Sequence, residues 1–169
     1  MPEVEAAKMA NVPEFLIVHC SDSGWGDASV IDAWHRDRGF DRLGYHRVIL
    51  NGFRTYADMK SGVRKDVGLV ELGRLDMEVG AHCVGYNRRS LGICLVGSGV
   101  YPVQQIDALR QLVNELRSQY DIPVHNVIGH HESQSGAQEG KTCPSLDRSM
   151  IALRMPELRQ SLEVSSSTP

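Results

Sequence analysis

Two imidazoles and a thiol stand out as groups able to do chemistry together: His19, His130 and Cys143. His19 closes the apolar run Phe15-Leu16-Ile17-Val18-His19-Cys20, and His130 follows the apolar stretch Val124 to Gly129. Cys143 lies in the polar context Lys141-Thr142-Cys143-Pro144. A histidine at a strand end is, taken alone, more often a hydrogen-bonded core residue than a ligand. Together the three are what a catalytic zinc site uses, with the fourth coordination position left to water. No obvious fourth ligand is at hand. Strand alternation turns Cys20 away from His19 and His131 away from His130. That favours an open, catalytic site over a closed structural one, although ligands so far apart in sequence form no spacing motif.

Lys141 is two residues before Cys143, and the residue preceding a proline prefers an extended backbone, so positions 141 and 143 project to one side. An ammonium there could stabilise an oxyanion; without Cys143 it would read as a solvated surface lysine. Tyr45 could turn its phenol toward the same pocket or pack in the core. His82 and Asn87, in the glycine-punctuated stretch Gly80 to Asn87, could line a substrate groove. His35 and His125 read as surface residues, and His46 as a structural residue on the reverse face. Cys20, Cys83 and Cys94 read as buried apolar cysteines, and Asp22, Glu132 and Asp147 as caps or loop charges.

The elements that must position these groups alternate strand and helix. Phe15–Cys20 is a uniformly apolar run, as a strand buried on both faces requires. A helix follows from Ser29, with Asp32 three residues on, to Gly39, burying Val30, Ile31 and Trp34. Gly44 to Leu50 reads as a second strand, with Tyr45, Arg47 and Ile49 on one side and His46, Val48 and Leu50 on the other. Asn51-Gly52 is a hairpin signal. Residues 53–66 read as an insertion or long loop, Val67 to Arg74 and Leu91 to Gly97 as strands. Pro102 opens the best helix, to Tyr120, with Val103, Ile106, Leu109, Val113, Leu116 and Tyr120 at helical spacing. Val124 to Gly129 is a short strand, and Ser145 caps a final helix from Leu146 to about Arg154. This order predicts a single α/β domain: a mixed central β-sheet flanked by helices on both faces. Sites in such sheets gather at strand ends. Residues 1–14 form a lead-in, 15–163 the catalytic domain, and 164–169 a disordered tail.

The bulk numbers exclude several classes. A formal charge of -3 and a pI near 6.1 give no basic field for nucleic acid. No apolar run approaches the ~18–20 residues of a membrane helix, and the N-terminus lacks the basic start and apolar block of a signal peptide. Four cysteines without a C-x-x-C do not make a disulfide framework.

Taken in order, Val18-His19-Cys20-Ser21, Gly44-Tyr45-His46, Gly80-Ala81-His82 with Gly85-Tyr86-Asn87, Leu91 to Gly97, His130-His131-Glu132 and Lys141-Thr142-Cys143-Pro144-Ser145 resemble the type 2 N-acetylmuramoyl-L-alanine amidases and peptidoglycan recognition proteins. The likeness is greatest to short phage endolysins (lysozyme-amidases) and runs from Phe15 to Asp147. It implies one catalytic Zn2+ held by His19, His130 and Cys143, with Tyr45 and Lys141 in the catalytic positions. It also implies hydrolysis of the amide joining N-acetylmuramic acid to L-alanine of the stem peptide. The extra length between Asn51 and Val67 departs from the short phage enzymes and bears on one wall of the groove.

The expected partner is bacterial peptidoglycan, with no membrane insertion, and the expected state a monomer. Without a signal peptide, such an enzyme waits in the host cytoplasm until a holin admits it to the cell wall. The rival readings are a cytoplasmic cell-wall-recycling amidase acting on anhydro-muropeptides and a non-catalytic peptidoglycan-binding protein. The third ligand is usually aspartate in the former, and the cysteine is typically lost in the latter. Some phage members also bind and inhibit the phage RNA polymerase; nothing in this acidic chain bears on that partner.

Overall fold

The computed structural model describes residues 10–146 and 148–151. Five strands form one mixed sheet in the order β3-β2-β4-β1-β5, and with its helices it makes the single α/β domain expected. They are β1 (Phe15–Cys20), β2 (Arg47–Ile49), β3 (Val70–Leu72), β4 (Ser90–Leu95) and β5 (Val127–Gly129). β1 is parallel to β4 and β5, and β2 is parallel to β4; β3 alone runs antiparallel, against β2. The four parallel strands therefore end along one edge of the sheet.

Helices cover both faces. Helix α1 (Ala28–Asp37) lays Ile31 and Trp34 over Val48, Leu50, Cys94 and Val96. On the other face α3 (Val103–Tyr120) packs Leu109, Leu112, Val113 and Leu116 against Leu16, Val18, Ile49, Leu91, Ile93 and Leu95. The alternation of β1 thus follows the sequence pattern, with Leu16 and Val18 toward α3 and Ile17 toward Cys83 and Ile128. Gln105 is a polar residue buried on α3. Its amide donates to the carbonyls of Ile49, the last residue of β2, and Val96, just past β4.

Several boundaries differ from the sequence reading, each for a local reason. Helix α1 is capped by Asp27, whose carboxylate accepts from the Val30 N–H, and not by Ser29. Asp32 instead accepts from the Leu43 N–H and pairs with Arg36. β2 begins at Arg47, although the Gly73 and Arg74 N–H groups still donate to the His46 and Tyr45 carbonyls; Tyr45 departs from the alternation and packs with Val48 and Leu50. Asn51-Gly52 makes no two-residue hairpin: the Gly52 carbonyl accepts from the Lys65 N–H across the intervening segment, and the Asn51 amide bonds the Gly24 carbonyl and the Phe53 N–H.

The 53–66 segment contains helix α2 (Tyr56–Ser61), closed by a Thr55–Asp58 capping box and by Gly62 at φ 73°. Arg54 ties this segment to the α1 cap and to β3 through Asp27 and Glu71. Residues 124–126 form a 3₁₀ turn ahead of β5. Two further helices are α4 (Gln134–Gln138) and α5 (Arg148–Ile151). The remainder of the expected C-terminal helix, the 164–169 tail and residues 1–9 lie outside the described residues.

Candidate metal centre

Strand pairing brings the two histidines together. Val18 is in register with Gly129, so His19 and His130 leave β1 and β5 at the same level of the sheet edge. Their ring centroids lie 4.4 Å apart. After His130 the chain enters a 3₁₀ turn, His130–Glu132, held by Glu132, which accepts from the Gly129 N–H, and by Ser133, whose hydroxyl donates to the His130 carbonyl.

Cys143 arrives on a loop crossing these strand ends. Its carbonyl accepts from the His131 N–H at 3.1 Å, Tyr101 donates to the Pro144 carbonyl at 2.6 Å, and the Lys141 N–H donates to the Gly136 carbonyl at 2.9 Å. The Cys143 Sγ thereby sits 3.3 Å from His130 Nδ1. One donor atom each from His19, His130 and Cys143 fall within 4.8 Å of one another, and no fourth His, Cys, Asp or Glu joins them among the described residues. Two imidazoles and one sulfur at this separation fit a zinc ion with an open coordination position.

The surroundings keep the imidazoles neutral, as ligation requires. Burial pushes the His19 pKa well below its ordinary value, helped by His82 and His130. Burial and then the Lys141 ammonium lower that of His130. A hydrogen bond with the Cys20 thiol, reinforced by burial, pushes the Cys143 thiol up, so a metal ion must displace its proton. Cys20 is thus a half-buried groove residue and not the buried apolar one expected. β1 ends at Cys20, and the Cys143 loop passes over that end.

Two cavities of about 430 and 350 Å³ share His35, Arg38, Tyr45, His82, His130 and Lys141, and all three donors line the first. Tyr45 lies with its ring centroid 5.0 Å from that of His19. Lys141 is half-exposed at the rim, with Glu139 3.4 Å from its ammonium. Cys143 lines the first cavity, and no residue of 52–66 lines either, so the insertion leaves the groove wall to α1 and the loops.

The other expected site residues take different places. Asn87 borders the groove, and its Oδ1 accepts from the His82 and Cys83 N–H groups, bracing the loop. His82 also borders the groove, yet its ring nitrogens face His19 and Ser90. His46 is not on the reverse face: it keeps to the side of Val48 and Leu50, as alternation has it, but that side is the one that carries the site, and its ring stands 5.7 Å from that of His82. Nor is His35 a surface residue. It is 5% exposed, its Nδ1 accepts from the Gly44 N–H, and it packs against Tyr45. Its position four residues after Ile31, on the inner face of α1, was the available signal.

The family model for N-acetylmuramoyl-L-alanine amidases matches residues 9–146. An endolysin of Enterobacteria phage K11 is 34% identical over 158 residues, 87% of this chain and 89% of that protein. An endolysin of Escherichia phage T7 is 31% identical over 151 residues, 83% and 85% of the two chains. The fold also matches the solved structure of an endolysin amidase from Clostridium intestinale, with a TM-score of 0.65 at 22% identity over 92% of this chain and 87% of that one. Matched across its whole sheet and through the loop that carries Cys143, this chain belongs to the N-acetylmuramoyl-L-alanine amidase family.

Proposed function

We propose that the protein is a zinc-dependent peptidoglycan hydrolase that cleaves the amide between N-acetylmuramic acid and L-alanine of the stem peptide, and serves as a phage endolysin. The observation that carries this reading is the meeting of His19, His130 and Cys143 within 4.8 Å, at a groove shared with Tyr45 and Lys141. The endolysin relatives support the lytic role.

His19, His130 and Cys143 would hold the ion. When bound, zinc supplies Lewis-acid polarisation of the scissile carbonyl and acidifies water at the open position. Lys141 donates to the carbonyl oxygen as negative charge builds there. Burial and the neighbouring thiols push the Tyr45 phenol well above its ordinary pKa, so it keeps its proton across the neutral range. It therefore acts as an O–H donor that orients water or the leaving group, and not as an anionic base. In this role the protein is held in the host cytoplasm until a holin opens the way to the cell wall. No helix among the described residues is long and apolar enough to cross a membrane.

The test is digestion of purified sacculi by the full chain, with and without a chelator, followed by analysis of the new termini. Free L-alanine amino groups, lost on chelation and restored by zinc, are expected. Cleavage at another bond, or full activity with the metal removed, would overturn the reading.

A further inference from the structure

The hydrogen bonds around His82 determine which nitrogen of His19 is free to bind a metal. The Ser90 hydroxyl donates its only proton to the Tyr86 carbonyl at 2.8 Å. Toward His82 Nε2, 3.3 Å away, Ser90 Oγ is therefore an acceptor, and His82 carries its proton on Nε2. That leaves a lone pair on His82 Nδ1, which faces His19 Nε2 at 2.9 Å. Two lone pairs at that distance would repel, so His19 carries its proton on Nε2. Only His19 Nδ1 remains as a donor atom.

The rest of the neighbourhood holds this arrangement in place. The Asn87 amide oxygen pins the His82 backbone, as described above. A methyl group added at Gly80 or Gly92 would come within 2.5 or 2.7 Å of the His82 ring, so both positions keep clear the space that the ring fills. His46 is locked in turn: its Nδ1 accepts from the Gly92 N–H at 3.0 Å, and its Nε2 donates to the Glu78 carbonyl at 2.9 Å.

We propose that His82 is a positioning residue that fixes His19 in the Nε2–H tautomer and so presents the Nδ1 lone pair to the metal. The proposal rests on the zinc reading above for its consequence, but its premise concerns the protein alone. A neighbour that accepts from a ligand histidine orients the ring and raises its basicity, and loss of such a partner costs roughly 10–100-fold in metal affinity. With both ring nitrogens committed, His82 has no polar atom left for substrate.

The experiment uses the full chain labelled with 15N-histidine and stripped of metal, read by two-bond proton–nitrogen correlation. His19 is expected as the Nε2–H tautomer before zinc is added, with zinc shifting Nδ1. The Nδ1–H tautomer would overturn the proposal. In chelator competition, His82→Leu should lose roughly 10–100-fold in zinc affinity. His82→Asn, which returns an amide oxygen close to the Nδ1 position, should recover most of it. Unchanged affinity in His82→Leu, or an equal loss in both variants, would also overturn it. Should His82→Leu fail to fold, the tautomer readout on the unmodified chain still decides. A wild-type chain that takes up no zinc defeats the metal reading and leaves the tautomer test standing.

Discussion

The Cys143 sulfur lies 3.3 Å from His130 Nδ1, with the 3₁₀ turn and α4 between them in sequence. The contact is made by backbone bonding. His131 takes the Cys143 carbonyl, and α4 packs beneath the His130 turn. The sulfur is therefore set by scaffold bonds that do not depend on the side chain itself.

From this it follows that Cys143→Ala should leave the fold intact and remove the metal. Zinc content of the purified variant should drop from one equivalent per chain to background, with sacculus cleavage lost alongside. Its metal-free unfolding free energy should stay within about 0.5 kcal/mol of wild type, as for a loop substitution outside the core. Retained stoichiometric zinc would remove the thiolate from the ligand set.

Lys141→Ala separates rate from binding. The ammonium is half-exposed and beside Glu139, so its loss costs the fold little. Zinc content should be unchanged while turnover falls by roughly 10²–10³-fold, the scale of one oxyanion donor. Full-rate cleavage by this variant would return Lys141 to the solvated surface.

Gly136→Ala tests the support beneath His130. In an open helix this change gains up to about 1 kcal/mol in propensity. Here the new methyl would stand 1.9 Å from the His130 carbonyl oxygen, so α4 or the ligand turn must move. Overpacking of this kind costs about 1–3 kcal/mol and outweighs the gain. Lower thermal stability together with weaker zinc binding is expected; a stabilised variant with normal zinc affinity would show that the turn yields freely.

Stability should fall on mild acidification of the metal-free protein. Burial holds the His46 pKa down at about 4, against 6.5 for the free side chain. Between those values the unfolded chain binds the proton and the folded one does not, so stability is full above pH 6.5 and declines as pH falls toward 4. For His46 alone that amounts to roughly 3 kcal/mol across the window, and buried His19 and His82 act in the same direction. Denaturant midpoints at pH 7 and pH 5 read this directly; equal midpoints would contradict it.

The layer architecture and the convergence of His19 and His130 were legible because both rest on local pattern. An apolar run of strand length with a histidine at its end states its own position in a parallel sheet. What the pattern hid was set by tertiary bonding. Tyr45 sits in a strand-like sequence but leaves the alternation and packs with Val48 and Leu50, on the side where His46 also stands and where the site lies. Cys20 obeys alternation yet meets Cys143, because a loop from the far end of the chain crosses the strand end. His82 resembled a substrate residue for its glycine-rich loop. Gly80 of that loop and Gly92 of β4 keep clear the space that its ring fills.

X-ray absorption at the zinc edge of the loaded full chain reads the metal's own ligands. One sulfur scatterer at about 2.3 Å with nitrogen or oxygen scatterers at about 2.0–2.1 Å is the predicted shell. A shell without sulfur, or with two sulfurs, would contradict it.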